Sequence, residues 1–84
     1  MNFELAADRV KNLSKKPSDT TMLNLYGLYK QASVGDVNTE RPSFWDLVGK
    51  AKRDSWNSLK GMTSDEAKNL YVGLVQKLID EDSF

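Results

Sequence analysis

Thr20-Thr21-Met22-Leu23-Asn24-Leu25-Tyr26-Gly27-Leu28-Tyr29-Lys30-Gln31-Ala32-Ser33-Val34-Gly35 decides the fold. At about 100° per residue, Leu25, Leu28 and Ala32 share one arc of a helical wheel. Met22, Tyr26, Lys30 and Ser33 fall on the adjoining arc, with Tyr29 at the seam and Leu23 at the edge. One helix therefore carries two faces. The first reads as core. The second presents phenols, an ammonium and apolar surface, which together suit a ligand with a ring, a phosphate and a hydrocarbon. The same residues also suit a plain surface where a lysine snorkels beside two half-buried tyrosines, and spacing alone leaves both readings open.

Working outward, Ser18 reads as the N-cap of this helix, with Asp19 in its first turn and Gly35 as its C-cap. Upstream, Phe3, Ala6, Ala7, Val10 and Leu13 recur at helical spacing, predicting a helix over 3–13 capped by Asn2. Lys11 sits at the edge of that stripe, solvated or reaching for an anion. Downstream, 35–42 is rich in turn residues and reads as a loop. There Asn38, Thr39, Glu40 and Arg41 read first as scaffolding through local side-chain to backbone bonds and second as ligand contacts.

A third helix starts between Ser43 and Leu47 and ends near Lys60, before Gly61. Phe44, Leu47, Val48, Ala51, Ser55 and Leu59 cover its expected buried face, with Trp45 and Trp56 at the border. Lys52 falls inside that apolar arc. It either snorkels to water or meets an anion brought by a ligand, since an unpartnered buried ammonium is costly. Thr63 and Glu66 have the spacing of a capping box. The helix that follows runs to about Ile79, with Ala67, Leu70, Tyr71, Leu74, Val75 and Leu78 as its buried stripe. On periodicity Tyr71 is core. Its hydroxyl needs a partner there. The reading is all-α, a skewed antiparallel four-helix bundle forming one domain over residues 1–84.

Composition narrows the chemistry. The chain has 84 residues, no Cys and no His. Disulfides, thiolate metal sites and the commonest general base are therefore unavailable. Twelve basic and twelve acidic residues balance, which argues against a general nucleic-acid binder. Residues 1–60 hold ten Lys/Arg and seven Asp/Glu, while 61–84 hold two and five. The cations thus travel with the tyrosine-bearing helix, and Asp80-Glu81-Asp82 reads as a solvated tail. No apolar run approaches the roughly 20 residues that span a bilayer. No signal peptide is visible, so a cytoplasmic location is expected. No nucleophile–base set is recognisable, so no enzyme is expected.

The run Tyr26-Gly27-Leu28-Tyr29-Lys30-Gln31-Ala32-Ser33-Val34-Gly35-Asp36-Val37-Asn38-Thr39-Glu40-Arg41-Pro42 closely resembles the signature of the acyl-CoA-binding protein family, also called diazepam-binding inhibitor. Lys16-Pro17-Ser18-Asp19, Gly49-Lys50-Ala51-Lys52 and Asp54-Ser55-Trp56-Asn57-Ser58-Leu59-Lys60-Gly61 follow the family's order and spacing. The match runs from about Phe3 to about Leu78. It implies a shallow bowl of four helices that carries medium- to long-chain acyl-CoA reversibly, as a monomer. Acyl-CoA is then a ligand, with no cofactor and no metal, and contacts with membranes or acyl-CoA-using enzymes are transient. By the same resemblance Tyr26, Lys30 and Lys52 contact the 3′-phosphate region, Tyr29 packs on the adenine, and Tyr71 also lines the ligand. Lys11 lies near the nucleotide. By residue chemistry rather than resemblance, Met22, Leu23 and the exposed edges of other helices offer the acyl chain an apolar floor. A second implied role is a protein-interaction or secreted signalling module working through the helix exterior. Three departures stand out. Arg53 occupies a position where the family commonly has tryptophan, Ser43-Phe44-Trp45 replaces a small-and-aliphatic run, and the C-terminus is acidic.

Overall fold

The computed structural model describes residues 1–82. Four α-helices form: α1 Phe3–Arg9, α2 Asp19–Ser33, α3 Leu47–Asn57 and α4 Ser64–Asp82, with no strand among the described residues. They pack into a flattened body of 40 × 28 × 16 Å.

The caps act where the sequence puts them. The Leu5 amide donates to Asn2 Oδ1 at 2.8 Å, and the Thr21 amide donates to Ser18 Oγ at 3.2 Å. Thr63 Oγ1 accepts from the Glu66 amide and donates to its carboxylate, both at 3.1 Å. Each cap satisfies amides that have no partner inside the helix. Asp46 caps α3, taking the Gly49 amide at 3.0 Å. Two ends differ from expectation. The first helix gives way at Val10–Asn12 to a single 3-10 turn, and Leu13 is extended. α4 runs on to Asp82 because that carboxylate is docked. It accepts from the Ser14 amide (3.0 Å), the Ser14 hydroxyl (2.7 Å) and the Lys15 amide (3.0 Å). Asp82 is therefore a tie between the chain's two ends rather than a solvated tail.

Ala6, Leu25, Leu28, Tyr71 and Val75 form the core, with Phe3, Val10, Leu74 and Leu78 packed against it. α2 runs antiparallel to α4, since the Ser64 hydroxyl donates to the Ala32 carbonyl near the helix ends (2.7 Å) and Tyr29 meets Tyr71 farther along. α1 lies along α4 in the same sense, from Phe3 beside Tyr71 to Ser14 on Asp82. α3 crosses α2 closely. A Cβ on Gly27 would lie 3.0 Å from both the Ser55 carbonyl oxygen and Oγ, and Ser55 Oγ donates to the Leu23 carbonyl at 2.7 Å.

The expected core face of α3 is only half used. Trp56, placed at its border by the wheel, is buried, whereas Phe44, Leu47 and Val48 stand exposed. Periodicity finds a helix's apolar arc but not whether another element covers it. Here α2 meets α3 beyond its first turn.

The long connection Val34–Asp46 is tied down at both ends. Gly35 turns the chain with φ +96°, a conformation open to glycine, and its carbonyl takes the Trp56 indole N–H at 2.7 Å. Asp36 Oδ1 accepts from the Gly61 amide (2.8 Å) and the buried Gln31 amide group (2.9 Å). Gln31 also donates to the Met62 carbonyl at 2.8 Å. Farther on, Arg41 forms a fork on Asp54, and Arg53 donates from two nitrogens to the Thr39 carbonyl at 3.0 and 2.9 Å. Of the side chains expected to scaffold 38–41, Arg41 does so, but on α3 rather than locally, and Thr39 contributes its backbone carbonyl instead of its hydroxyl. Arg53 thereby fastens the loop to α3.

Candidate functional site

A cavity of about 770 Å³ opens in the concave side of the helices. α2 contributes most of one wall, with Met22, Leu23, Leu25, Tyr26 and Tyr29. The first turns of α3 give Leu47, Val48, Ala51 and Lys52 opposite. Ala7, Val10 and Lys11 come from α1 and the turn after it, Tyr71 from α4, and Pro17 and Asp19 from the start of α2 and the residues before it. Apolar groups dominate, with a few polar tips among them. That balance is common in pockets for small organic ligands.

The polar tips gather along the α2–α3 seam. Lys52 Nζ lies 5.5 Å from the Tyr26 ring centroid, and Lys30 Nζ lies 5.2 Å from the Trp56 ring centroid. Tyr26 and Lys30 are one turn apart on α2. Lys52 and Trp56 are one turn apart on α3. Each helix thus offers the other an aromatic face and a cation, and both ammonium groups end on one seam. Cations within about 6 Å of a ring are attracted to its face. Neither lysine has a carboxylate partner among the described residues, so each is open to an incoming anion. The close crossing at Gly27 makes this pairing possible.

Tyr29 is held differently. Phe3 stacks on it at 5.5 Å and 26°, and Tyr71 lies tilted at 5.9 Å. Phe3 and Tyr71 meet edge to face at 5.2 Å. The result is a three-ring cluster joining α1, α2 and α4, with Tyr29 still 42% exposed. Tyr71 is 4% exposed yet lines the cavity. It is core and wall at once, which reconciles the two sequence readings of it. Its hydroxyl makes no hydrogen bond to protein among the described residues. Burial pushes this phenol above its ordinary value, and the Tyr29 phenol adds to the effect. Tyr71 therefore stays a neutral donor at physiological pH.

Seven of the eight residues singled out in the sequence meet in this cavity: Lys11, Met22, Leu23, Tyr26, Tyr29, Lys52 and Tyr71. Lys30 does not line it. It stands one turn beyond Tyr26 on the same seam, stacked on Trp56. Phe3 as the backing of Tyr29, and Leu47 and Val48 as cavity wall, were not read from the sequence. Phe3 was legible only as core stripe, and the other two only as a buried helix face.

A profile described as acyl CoA binding protein matches residues 1–75. The chain belongs to the acyl-CoA-binding protein family. It is 49% identical over 77 residues to an acyl-CoA-binding protein homolog of Drosophila melanogaster, covering 92% of this chain and 90% of that one. It is 46% identical over 79 residues to acyl-CoA-binding protein homolog 1 of Caenorhabditis elegans, covering 94% and 92%. Its fold superposes on the crystal structure of Oryza sativa acyl-CoA-binding protein 2 with a TM-score of 0.92, at 41% identity, covering 96% of this chain and 90% of that chain. The all-α fold is thus the family's own. No described helix is long and apolar enough to cross a membrane.

Proposed function

We propose that this member of the acyl-CoA-binding protein family is a cytoplasmic carrier that binds medium- to long-chain acyl-CoA reversibly and maintains a protected pool of it. The observation that carries this reading is the junction of two chemistries in one hollow: an apolar cavity of about 770 Å³ with Lys52 and Tyr26 in its wall and Lys30 beside them on the same seam. A thioester with a phosphorylated nucleotide at one end and a hydrocarbon at the other matches both.

In this reading Lys30, Lys52 and the Tyr26 hydroxyl donate to the 3′-phosphate region, through charge-assisted bonds stronger than neutral ones. Tyr29, held upright by Phe3 and Tyr71, offers its ring to the adenine. Lys11 stands near the nucleotide across the cavity. Tyr71 contributes a neutral hydroxyl. Met22 and Leu23, with Leu47 and Val48 facing them, cover the acyl chain. Binding is the whole reaction. No bond is made or broken, and neither cofactor nor metal takes part. One domain spans the chain and works as a monomer.

Titration calorimetry with palmitoyl-CoA, CoA and palmitate tests the reading. Tight binding of palmitoyl-CoA, with much weaker binding of either half, supports it. Equal binding of free palmitate rejects the headgroup mechanism.

A further inference from the structure

The most exposed large apolar side chains of the described protein are clustered. Phe44, Trp45, Leu47 and Val48 are 72, 74, 71 and 66% exposed. Phe44 and Trp45 sit on a turn closed by the Asp46 amide on the Ser43 carbonyl at 2.9 Å. Their rings meet edge to face, 4.5 Å apart. Neither lines the cavity. Leu47 and Val48, immediately after them, do. The patch is therefore the apolar lip of the binding hollow, continued outward by two rings.

From this geometry we infer that the turn Ser43–Asp46 docks the protein on an anionic phospholipid surface, with Phe44 and Trp45 entering the boundary between headgroups and acyl chains. Three observations favour a bilayer over a protein partner. First, the patch projects from a turn and is small. Its two rings offer roughly 300 Å², and Leu47 and Val48 add less than that, which leaves it short of the ~800 Å² per partner of a stable interface. Second, the composition is interfacial. Aromatic rings settle at the headgroup level, and neighbouring lysines pair with anionic lipid. Third, the local charge is positive. Over 40–54, four cations face three carboxylates. Asp54 pairs with Arg41, which leaves Lys50, Lys52 and Arg53 against Glu40 and Asp46. Lys50 Nζ is anchored on the Phe44 carbonyl at 3.2 Å, close to the rings. A carbonyl holds the ammonium without neutralising it.

Docking of this kind sets the open lip of the cavity against the surface that holds acyl chains. A chain can then slide between bilayer and protein without crossing water. This purpose rests on the carrier reading, whereas the membrane contact itself does not.

The test uses the full chain and two kinds of vesicle, phosphatidylcholine alone and an equimolar mixture with phosphatidylserine. Trp56 is buried and hydrogen-bonded, so changes in emission report Trp45. On the mixed vesicles Trp45 emission shifts to the blue and is quenched by brominated lipid, with a weaker effect on phosphatidylcholine alone. The double variant Phe44→Ser/Trp45→Ser co-sediments with mixed vesicles about tenfold less. Its affinity for palmitoyl-CoA in solution stays unchanged, which also shows that it is folded. Its uptake of palmitoyl-CoA from vesicles slows by a similar factor. Equal sedimentation of the variant and the unsubstituted protein overturns the inference. So does a concentration-dependent dimer that the double variant abolishes, because the patch then closes on a second copy. Vesicle docking by a protein that fails to bind palmitoyl-CoA in solution sustains the contact and overturns the carrier reading alone.

Discussion

The same substitution at two helical glycines should have opposite effects. Gly27 and Gly73 both lie inside helices, where glycine-to-alanine gains about 1 kcal/mol of helix propensity. At Gly73 an added Cβ meets nothing within 4 Å, so Gly73→Ala keeps that gain. At Gly27 the Cβ lands 3.0 Å from the Ser55 carbonyl oxygen and Oγ. A backbone oxygen cannot rotate away, and Ser55 Oγ is already committed to the Leu23 carbonyl. Overpacking of this kind costs about 1–3 kcal/mol, and a weakened hydrogen bond costs about 1 kcal/mol more. Set against the propensity gain, Gly27→Ala should lose ~1–3 kcal/mol. For a domain of this size that is roughly a 4–24 °C fall in midpoint, while Gly73→Ala rises by a few degrees. The seam also positions the cations, so Gly27→Ala should weaken palmitoyl-CoA binding and Gly73→Ala should leave it alone. Thermal and urea unfolding by circular dichroism, paired with calorimetric titration, read both effects. A Gly27→Ala variant as stable and as tight-binding as Gly73→Ala refutes the claim that close helix crossing builds the site.

The other expectations are these. Lys30→Ala and Lys52→Ala should each weaken palmitoyl-CoA binding about tenfold, the lower end of a charge-assisted bond at a half-open site. Each should also reduce the dependence of affinity on salt, measured by titration over a range of ionic strength. Affinity should rise with acyl length. A fully buried methylene is worth about 0.8 kcal/mol, close to fourfold, and a cavity open on one side should yield nearer twofold per carbon; titration with a homologous series from octanoyl- to palmitoyl-CoA measures it, and a flat series removes the acyl floor. Stability should be level across neutral pH, since the chain has no histidine, and should fall at both extremes. The Gly61 amide on Asp36, the Arg41 fork on Asp54 and the Ser14 amide on Asp82 hold these carboxyls below their ordinary values. Their stabilisation is complete above the ordinary carboxylate range and is lost as pH falls through the lowered values, below about pH 4. Burial raises the Tyr71 phenol, so its contribution is complete below about pH 10 and lost as pH rises through the raised value. Urea midpoints measured across pH should trace both limbs.

Local signals in the chain were reliable where the physics is local. Asn2, Ser18 and the Thr63–Glu66 pair each cap the helix their spacing indicates, because a cap is satisfied within three residues. The two-faced wheel of α2 likewise became a core face and a cavity face. What escaped was settled by distant partners. The exposure of Phe44, Leu47 and Val48 depends on where α2 happens to meet α3. The docking of Asp82 on Ser14 joins residues at opposite ends of the chain, and the fastening of Thr39 by Arg53 depends on a loop path no pattern encodes. Lys52 on the apolar arc was visible as an anomaly. Its answer, a position over the Tyr26 ring in a cavity wall, needed the crossing at Gly27. The three-ring cluster behind Tyr29 gathers Phe3 and Tyr71 from helices far apart in sequence.

The structure of the protein bound to palmitoyl-CoA decides whether the α2–α3 seam is the nucleotide site. The 3′-phosphate should lie within hydrogen-bond reach of Lys30, Lys52 and the Tyr26 hydroxyl, the adenine against Tyr29, and the hydrocarbon along Met22 and Leu23. A bound ligand whose phosphates face bulk water, or whose nucleotide sits away from the α2–α3 seam, contradicts that placement.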